Sequence, residues 1–117
     1  MEIYHILNRG VDKRNIFLDE GDYIKFVHDL YEFNDEEPAP HPYTRQKTNN
    51  KPRKLIVELL AFCLMPNHFH LLLIPKVKNG VYLFMKKLSC GYARYFNEKY
   101  QRTGTLFERR YKRILIT

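Results

Sequence analysis

The chain has 117 residues, with no tryptophan, only two cysteines and no long apolar run. The cysteines, Cys63 and Cys90, form no CxxC pair, which excludes a disulfide framework and a cysteine-rich metal site. The longest apolar runs, residues 59–65 and 69–74, are far shorter than the roughly 20 residues that cross a bilayer. No signal peptide precedes the first predicted strand, so we expect a cytoplasmic protein with reduced, core or near-core thiols and no membrane partner.

Acidic residues are scarce beside basic ones, because 13 Asp and Glu against 20 Lys and Arg give a formal net charge of +7. The isoelectric point of about 9.5 lies in the range where a nucleic-acid partner is expected. A basic surface would also suit a membrane surface or an acidic protein, so the charge bears on partners and not on fold. The length and the 44% hydrophobic fraction predict one domain with its own core over residues 1–117.

The most informative stretch is LMPNHFHLLLI, residues 64–74. Pro66 and Asn67 form a turn signal, and the short apolar run behind them, bounded by Pro75, predicts a strand. Residues two apart point to the same face of a strand, so His68 and His70 project together and the apolar residues between them face the opposite side. Two imidazoles on one rigid face suit a divalent metal, although on spacing alone two solvated histidines are the commoner explanation.

The other segments complete a regular order of elements. Their patterns predict strands at 3–7, 55–65, 69–74 and 106–116, and helices at 20–33 and 81–101. Strand, helix, strand, strand, helix, strand is the ferredoxin-like α+β arrangement, a four-stranded antiparallel sheet with two helices on one face. Residues 35–53 hold four of the six prolines and predict a long flexible surface loop, with a DNA-contacting arm as the alternative.

Apolar spacing also predicts which faces are buried. Near-continuous apolar character in strand 55–65 predicts that both of its faces are at least partly covered. A two-residue turn after that strand places Cys63 opposite His70, where a buried structural thiol is favoured over a soft metal ligand. In the first helix, capped by Asp19, a core-facing stripe recurs at three- and four-residue spacing: Tyr23, Phe26, Val27, Leu30 and Phe33.

Basic residues concentrate in the first loop and the last strand. We predict that their side chains contact phosphates, which positions a nucleic acid without reading its sequence: Arg9, Lys13, Arg14, Arg109, Arg110, Lys112 and Arg113. The density of the RRYKR run favours binding over a generic solvated surface. Tyr111 within that run either stacks on an unpaired base or packs across the sheet.

Three blocks of the sequence together carry a family resemblance. They are YHILNRGVDKRNIF near the start, MPNHFHLLL in the middle, and SCGYARYFNEKYQRTGTLFERRYKRILIT at the end. In this order and spacing they resemble the IS200-like single-tyrosine transposases, which carry a histidine-hydrophobic-histidine (HUH) motif. The similarity is greatest to the branch of REP-associated tyrosine transposases, and it covers nearly the whole chain apart from residues 35–53.

The resemblance implies DNA transposition. Members of the family bind single-stranded or hairpin DNA, and they hold Mg²⁺ or Mn²⁺ through two histidines, here His68 and His70, and one further polar ligand. A tyrosine attacks the scissile phosphate, which gives a 5′-phosphotyrosine link and a free 3′-hydroxyl, so the strand can be rejoined elsewhere. For the third ligand the candidates are His5, Glu58, Asn67 and a residue of the family's C-terminal helix.

The chain departs from the family's pattern at its end. Relatives continue past the last strand into a helix that carries the nucleophilic tyrosine, whereas this chain stops at Thr117. We therefore expect the nucleophile beyond Thr117, with Tyr95 and Tyr100 as weak candidates within the chain. Whether the chain is itself an active enzyme stays open, and so does a homodimer, since relatives can be dimers that share their active sites.

Two other functions compete with the transposase interpretation. The ferredoxin-like sheet is also the scaffold of common RNA-binding domains, so the chain could be a non-catalytic nucleic-acid-binding module. Such domains stack bases on exposed aromatic residues, at positions where this chain has histidines. The third interpretation is a small metal-binding or structural domain with an incidental basic surface. Salt-dependent affinity for DNA would argue against this third interpretation.

Overall fold

The computed structural model describes residues 1–38 and 52–117. Most of the loop predicted at 35–53 lies outside the described residues, so that expectation stays a prediction. A short 3-10 helix, Val11–Lys13, follows the first strand. The main elements follow the predicted order: β1 (Ile3–Arg9), α1 (Glu20–Glu32), β2 (Val57–Met65), β3 (His68–Pro75), α2 (Gly80–Lys99) and β4 (Lys112–Ile116).

The four strands form an antiparallel sheet in the order β2-β3-β1-β4, which confirms the ferredoxin-like α+β prediction. The helices pack on the sheet face that carries Phe69, Leu71 and Leu73, all of them buried. On that face Phe26 of α1 lies against Phe69, with ring centroids 5.0 Å apart. Alternate residues of the same strands therefore point to the other face, which no helix covers among the described residues.

Helix α2 supplies much of the core, as its apolar spacing predicts. The Tyr92 hydroxyl donates a hydrogen bond of 2.5 Å to the Ile16 carbonyl, so this buried phenol is also satisfied. Gly91 is a place of close packing, because a Cβ there would lie 2.3 Å from Cζ of Phe33. The predicted stripe of this helix is buried throughout: Val81, Met85, Leu88, Tyr92 and Phe96.

Helix α1 begins as predicted, with one error in its buried stripe. The Asp19 side chain caps the helix by accepting the Asp22 N–H at 2.9 Å, and the two aspartates form a reciprocal capping box. The prediction that Val27 faces the core was wrong, because its side chain is 41% exposed. Asp22 and Asp29 are buried in this helix instead, and they were not predicted to be buried because they are polar.

The covered environment predicted for β2 was wrong. This strand lies at the sheet edge and pairs only with β3, so the helices reach Val57 but leave Leu60, Phe62 and Met65 exposed. The buried-thiol prediction fails for a related reason. Cys63 lies on the uncovered face of this edge strand and Cys90 lies off the buried stripe of α2, and both are exposed.

The last strand is shorter than predicted. Leu106 and Phe107 leave the ladder and fill the core, and Phe107 bridges to Gly10 beyond the end of β1. The regular strand then begins only at Lys112. Within residues 1–38 and 52–117, neither helix has the length and apolar character needed to cross a membrane.

Candidate functional site

Three histidines meet on the uncovered face of the sheet. His68 and His70 lie on β3, and His5 lies on the neighbouring strand β1, diagonal to His70 in the antiparallel register. The rings of His5 and His70 lie edge to edge and nearly coplanar, with centroids 5.1 Å apart and an interplanar angle of 22°. The rings of His68 and His70 are also 5.1 Å apart, at 83°. The common face predicted for His68 and His70 is therefore confirmed.

The turn before the histidines is held by the loop that follows β1. The Gly10 N–H donates to the Asn67 carbonyl at 2.9 Å, and the Ile16 N–H donates to the Pro66 carbonyl at 2.8 Å. A side chain at position 10 would not fit there, because a Cβ would lie 2.2 Å from the Arg14 carbonyl oxygen. The N-terminal loop thus fixes where the histidine strand begins.

Both histidines of the pair use Nδ1 in a hydrogen bond. Nδ1 of His68 donates to Oδ1 of Asn67 at 2.8 Å, and the Asn67 amide is oriented by its own Nδ2, which donates to the Lys13 carbonyl at 3.3 Å. Nδ1 of His70 lies 2.9 Å from Nε2 of His5. Nε2 of His68 and Nε2 of His70 make no hydrogen bond within the described part of the chain.

Burial of the imidazole, followed by the neighbouring His5 and His68, lowers the pKa of His70 below its usual value. A lowered pKa keeps the ring neutral near pH 7. A neutral imidazole is the form that binds metals, so the electrostatics agree with the hydrogen bonding.

Two nitrogen donors fit a metal that keeps open positions, but a complete ligand set is not present. Among residues 1–38 and 52–117, no group of three or more His, Cys, Asp and Glu side chains is arranged to hold a metal ion. Of the candidate third ligands, His5 and Asn67 are engaged with the histidines, whereas Glu58 pairs with Ile74 at the far end of the hairpin. The predicted pairing of Cys63 with His70 is confirmed.

The histidines form one wall of a cleft of about 450 Å³. Its charge is mainly positive, and Glu108, the carboxylate in the lining, is ion-paired with Arg9. Cations from β1 and from the segment leading into β4 therefore face the two imidazoles. The lining consists of Leu7, Asn8, Arg9, Asn67, His68, His70, Glu108, Arg110 and Lys112.

The predicted basic set divides between the two faces of the sheet. Arg9, Arg110 and Lys112 line the cleft, whereas Arg113 lies over the Tyr4 ring, 4.3 Å from its centroid, on the helix side. Arg109 and the half-buried Tyr111 line a separate groove beside α2.

The remaining two basic residues lie in the loop after β1. Arg14 lies over Phe96 at 5.1 Å, and Lys13 contributes its carbonyl to the Asn67 amide.

The two in-chain tyrosine candidates lie far from this chemistry in the fold. Tyr95 and Tyr100 belong to the helix side, and their hydroxyls donate to the buried carboxylate of Asp22 at 2.8 and 2.6 Å. Burial and these bonds to Asp22 raise the pKa of both phenols, which makes them weaker nucleophiles. In the described residues, no tyrosine lines the histidine cleft.

Two cleft residues, Asn8 and Glu108, were not singled out from the sequence. Asn8 is mostly buried, and its side chain accepts the Arg9 N–H at 2.9 Å. Glu108 is carried to the cleft because its N–H donates to the Arg9 carbonyl at 2.9 Å. The sequence offered one signal for Glu108, because it is the one carboxylate inside the otherwise basic FERRYKR run. Its ion pair with Arg9 could not be predicted, because that contact depends on how this run packs beside β1.

Comparison with known proteins places these features in a family. The family model described as "Transposase IS200 like" matches residues 38–116, more than half of the chain. The search of curated proteins found no match.

Two solved structures share the fold. A crystal structure of a protein from Deinococcus radiodurans R1, assigned as a transposase, has 17% identity and a TM-score of 0.64, over 100% of this chain and 81% of that chain. A REP-associated tyrosine transposase bound to a REP hairpin has 12% identity and a TM-score of 0.56, over 99% of this chain and 56% of that chain. This chain thus spans little more than half of the second protein.

At these identities the likeness to the two solved structures shows the fold alone. The match to the family model shows to which family the chain belongs. That match includes His68 and His70 and the cleft cations Arg110 and Lys112. The chain belongs to the IS200-like transposase family.

Proposed function

We propose that the histidine cleft binds single-stranded or hairpin DNA, and that it serves metal-dependent strand nicking and rejoining in DNA transposition. One observation carries the proposal: His68 and His70 share a cleft with Arg9, Arg110 and Lys112. Imidazole donors beside a group of cations suit a phosphodiester, which must be bound and whose developing negative charge must be stabilised. One structural neighbour is a REP-associated tyrosine transposase bound to a REP hairpin, which supports the choice of DNA.

The cations bind and position the DNA backbone. Lys112 and Arg110 lie on the β4 side of the cleft, and the histidines lie on the β3 side, so a backbone between them would have a phosphate beside both. The ion pair with Glu108 restrains Arg9 at the rim. Contacts of this kind give salt-dependent affinity and orientation.

The donor set fits Mg²⁺ or Mn²⁺ held by Nε2 of His68 and of His70, with the remaining positions left to phosphate and water. When bound, such a cation would polarise the scissile phosphate and stabilise charge on its oxygens. The chain itself orients His68 through its hydrogen bond to Asn67 and holds His70 beside His5, where burial lowers the pKa of His70.

The proposed nucleophile is a tyrosine outside the described lining of the cleft. Its hydroxyl oxygen bonds to the phosphorus and gives up its proton, while the bond from phosphorus to the 3′-oxygen breaks and leaves a 3′-hydroxyl. The product is a 5′-phosphotyrosine, and attack by another 3′-hydroxyl reverses the step and rejoins the strand. The homodimer that relatives form stays a prediction, which light scattering at high protein concentration would test.

The second candidate function is a non-catalytic nucleic-acid-binding module. It is favoured because no tyrosine among residues 1–38 and 52–117 lines the cleft. This alternative retains the cations of the cleft but gives the histidines no chemical role.

The experiment compares binding and covalent capture of a labelled DNA hairpin with single-stranded flanks. Wild-type protein and the double variant His68→Ala/His70→Ala are titrated with and without Mn²⁺, over a range of salt. We expect Mn²⁺ to increase the affinity of the wild type and not of the double variant, while both keep the salt-dependent binding. A denaturing gel reports any covalent adduct.

The outcomes separate the candidate functions. A Mn²⁺-dependent adduct that is lost in the double variant would place the nucleophile within residues 1–117. Equal binding with and without Mn²⁺, and no adduct, would contradict the metal-dependent function and leave the binding module. Absence of salt-dependent binding would contradict both.

A further inference from the structure

The hydrogen bond between His5 and His70 has a consequence for the histidine pair. Nε2 of His5 lies 2.9 Å from Nδ1 of His70, and the two rings are nearly coplanar, at an interplanar angle of 22°, as a hydrogen bond in the ring plane requires. A neutral imidazole carries one N–H, so one of these two nitrogens donates and the other accepts. The choice decides which nitrogen of His70 keeps a lone pair for the cleft.

The two choices are not equivalent for the proposed function. If Nδ1 of His70 donates to His5, its Nε2 is unprotonated and available as a ligand. If His5 donates instead, Nδ1 of His70 accepts, its Nε2 carries the proton, and the ring cannot bind a metal through that atom.

The neighbouring histidine shows how the chain solves the same problem. Oδ1 of Asn67 can only accept, so Nδ1 of His68 must carry the proton and Nε2 must be free. The amide cannot turn over without losing its bond to the Lys13 carbonyl. His5 occupies the corresponding place beside His70, because the β1–β3 register puts the two residues diagonally across adjacent strands.

We propose that His5 is a positioning residue, which accepts the Nδ1–H of His70 and thereby holds that ring with Nε2 unprotonated and directed to a ligand. The inference rests on the proposed function, in which Nε2 of His70 is a metal donor. It assigns to His5 a role different from that of a third ligand, for which His5 was one of four candidates from the sequence, since its Nε2 is already occupied by His70. His5 and Asn67 then form a matched pair of supports, one for each histidine.

The test measures the tautomer of His70 in metal-free protein by long-range ¹H–¹⁵N correlation NMR, and Mn²⁺ affinity by EPR titration. His5→Phe keeps an aromatic ring but removes the acceptor, and we expect it to shift His70 toward the Nε2–H tautomer and to weaken Mn²⁺ binding roughly 10- to 100-fold. His5→Gln offers a carbonyl acceptor and should restore most of both signals.

Two controls make the readouts specific. Asn67→Ala should shift the tautomer of His68 and leave that of His70 unchanged. His28→Phe removes a histidine that is exposed on α1 and should change neither the His70 tautomer nor the Mn²⁺ affinity.

The inference would be overturned if His5→Phe left the His70 tautomer as in the wild type. It would also be overturned if His5→Gln lost Mn²⁺ binding as completely as His70→Ala, because His5 would then be a direct ligand. Wild-type protein that binds no Mn²⁺ would contradict the proposed function instead. In that case the tautomer of His70 in His5→Phe would still decide the role of His5.

Discussion

At the scale of single residues, the buried carboxylate of Asp22 is the centre of a hydrogen-bond network outside the cleft. It accepts hydrogen bonds from the Leu18 N–H, from the Tyr95 and Tyr100 hydroxyls, and from the Lys99 ammonium. The bonds join the start of α1 to the end of α2. Tyr95 and Tyr100 were weak candidates for the nucleophile, because a sequence does not show whether a tyrosine hydroxyl is free or hydrogen-bonded.

We predict that Asp22 makes the free energy of unfolding depend on pH in the acidic range. Burial alone would raise the pKa of this carboxyl, but the bonds from Tyr100, Lys99, Leu18 and Tyr95 outweigh it and lower the pKa to about 2, against an ordinary 3.8. A depressed pKa contributes stability that is complete above pH 3.8 and is lost as pH falls through about 2. The contribution is about 2 kcal/mol.

Urea unfolding at several pH values would measure this effect. Asp22→Asn should be less stable than the wild type by about 2 kcal/mol at pH 7, and the difference should shrink toward pH 2. Glu20→Gln, at an exposed position in the same turn, should stay close to the wild type. A constant difference between Asp22→Asn and the wild type across this range would contradict the role of the charge.

At the scale of elements, the histidine strand was predictable and the edge strand was not. Period two in β3 gives the faces of His68 and His70 without any knowledge of partners. The exposure of β2 depends on the strand order, which places it at the edge, and no local pattern carries that information. The convergence of Lys112 and Arg110 with the histidines likewise required the long-range pairing of β4 with β1.

Gly91 of α2 contacts Phe33 at the end of α1, and we predict that the effect of Gly91→Ala on stability reverses when this contact is removed. A Cβ at Gly91 would lie 2.3 Å from Cζ of Phe33, so the ring must move in Gly91→Ala. We expect this variant to lose about 1 kcal/mol of unfolding free energy in the wild-type background, where the overlap outweighs the better helix propensity of alanine.

A double-mutant cycle with Phe33→Ala tests the contact. Without the ring, Gly91→Ala should instead stabilise the protein by up to about 1 kcal/mol, because only the propensity difference remains. Ser89→Ala on the same helix serves as the control and should show no coupling to Phe33→Ala. Equal effects of Gly91→Ala in both backgrounds would contradict close packing at this position.

At the scale of the whole molecule, basic side chains of the described residues lie on both sides of the sheet. Arg110 and Lys112 face the histidine cleft, whereas Arg113, next along the chain, lies over Tyr4 on the helix side. The alternation of a strand thus separates cations that a composition argument treats alike. The charge of the sequence favoured a nucleic-acid partner but also suited a membrane surface or an acidic protein, and it did not indicate which cations would lie beside the histidines.

This separation can be tested with single-stranded DNA. Arg110→Gln/Lys112→Gln should weaken binding and make the plot of log affinity against log salt shallower by about 1.4, since each phosphate contact in single strands contributes about 0.7. Arg113→Gln is the matched control and should leave the slope close to the wild type. Equal changes in slope per charge removed, on both faces, would mean that DNA binds without preference for the cleft.

The proposed function requires that His68 and His70 hold a divalent cation beside DNA bound in the same cleft. The most direct measurement is paramagnetic broadening of NMR signals by substoichiometric Mn²⁺, in protein saturated with a DNA hairpin. We predict that signals of His68, His70, Asn67 and Lys112 are lost first, while those of Tyr95 and Tyr100 persist. Broadening centred elsewhere, or unchanged in His68→Ala/His70→Ala, would contradict the account.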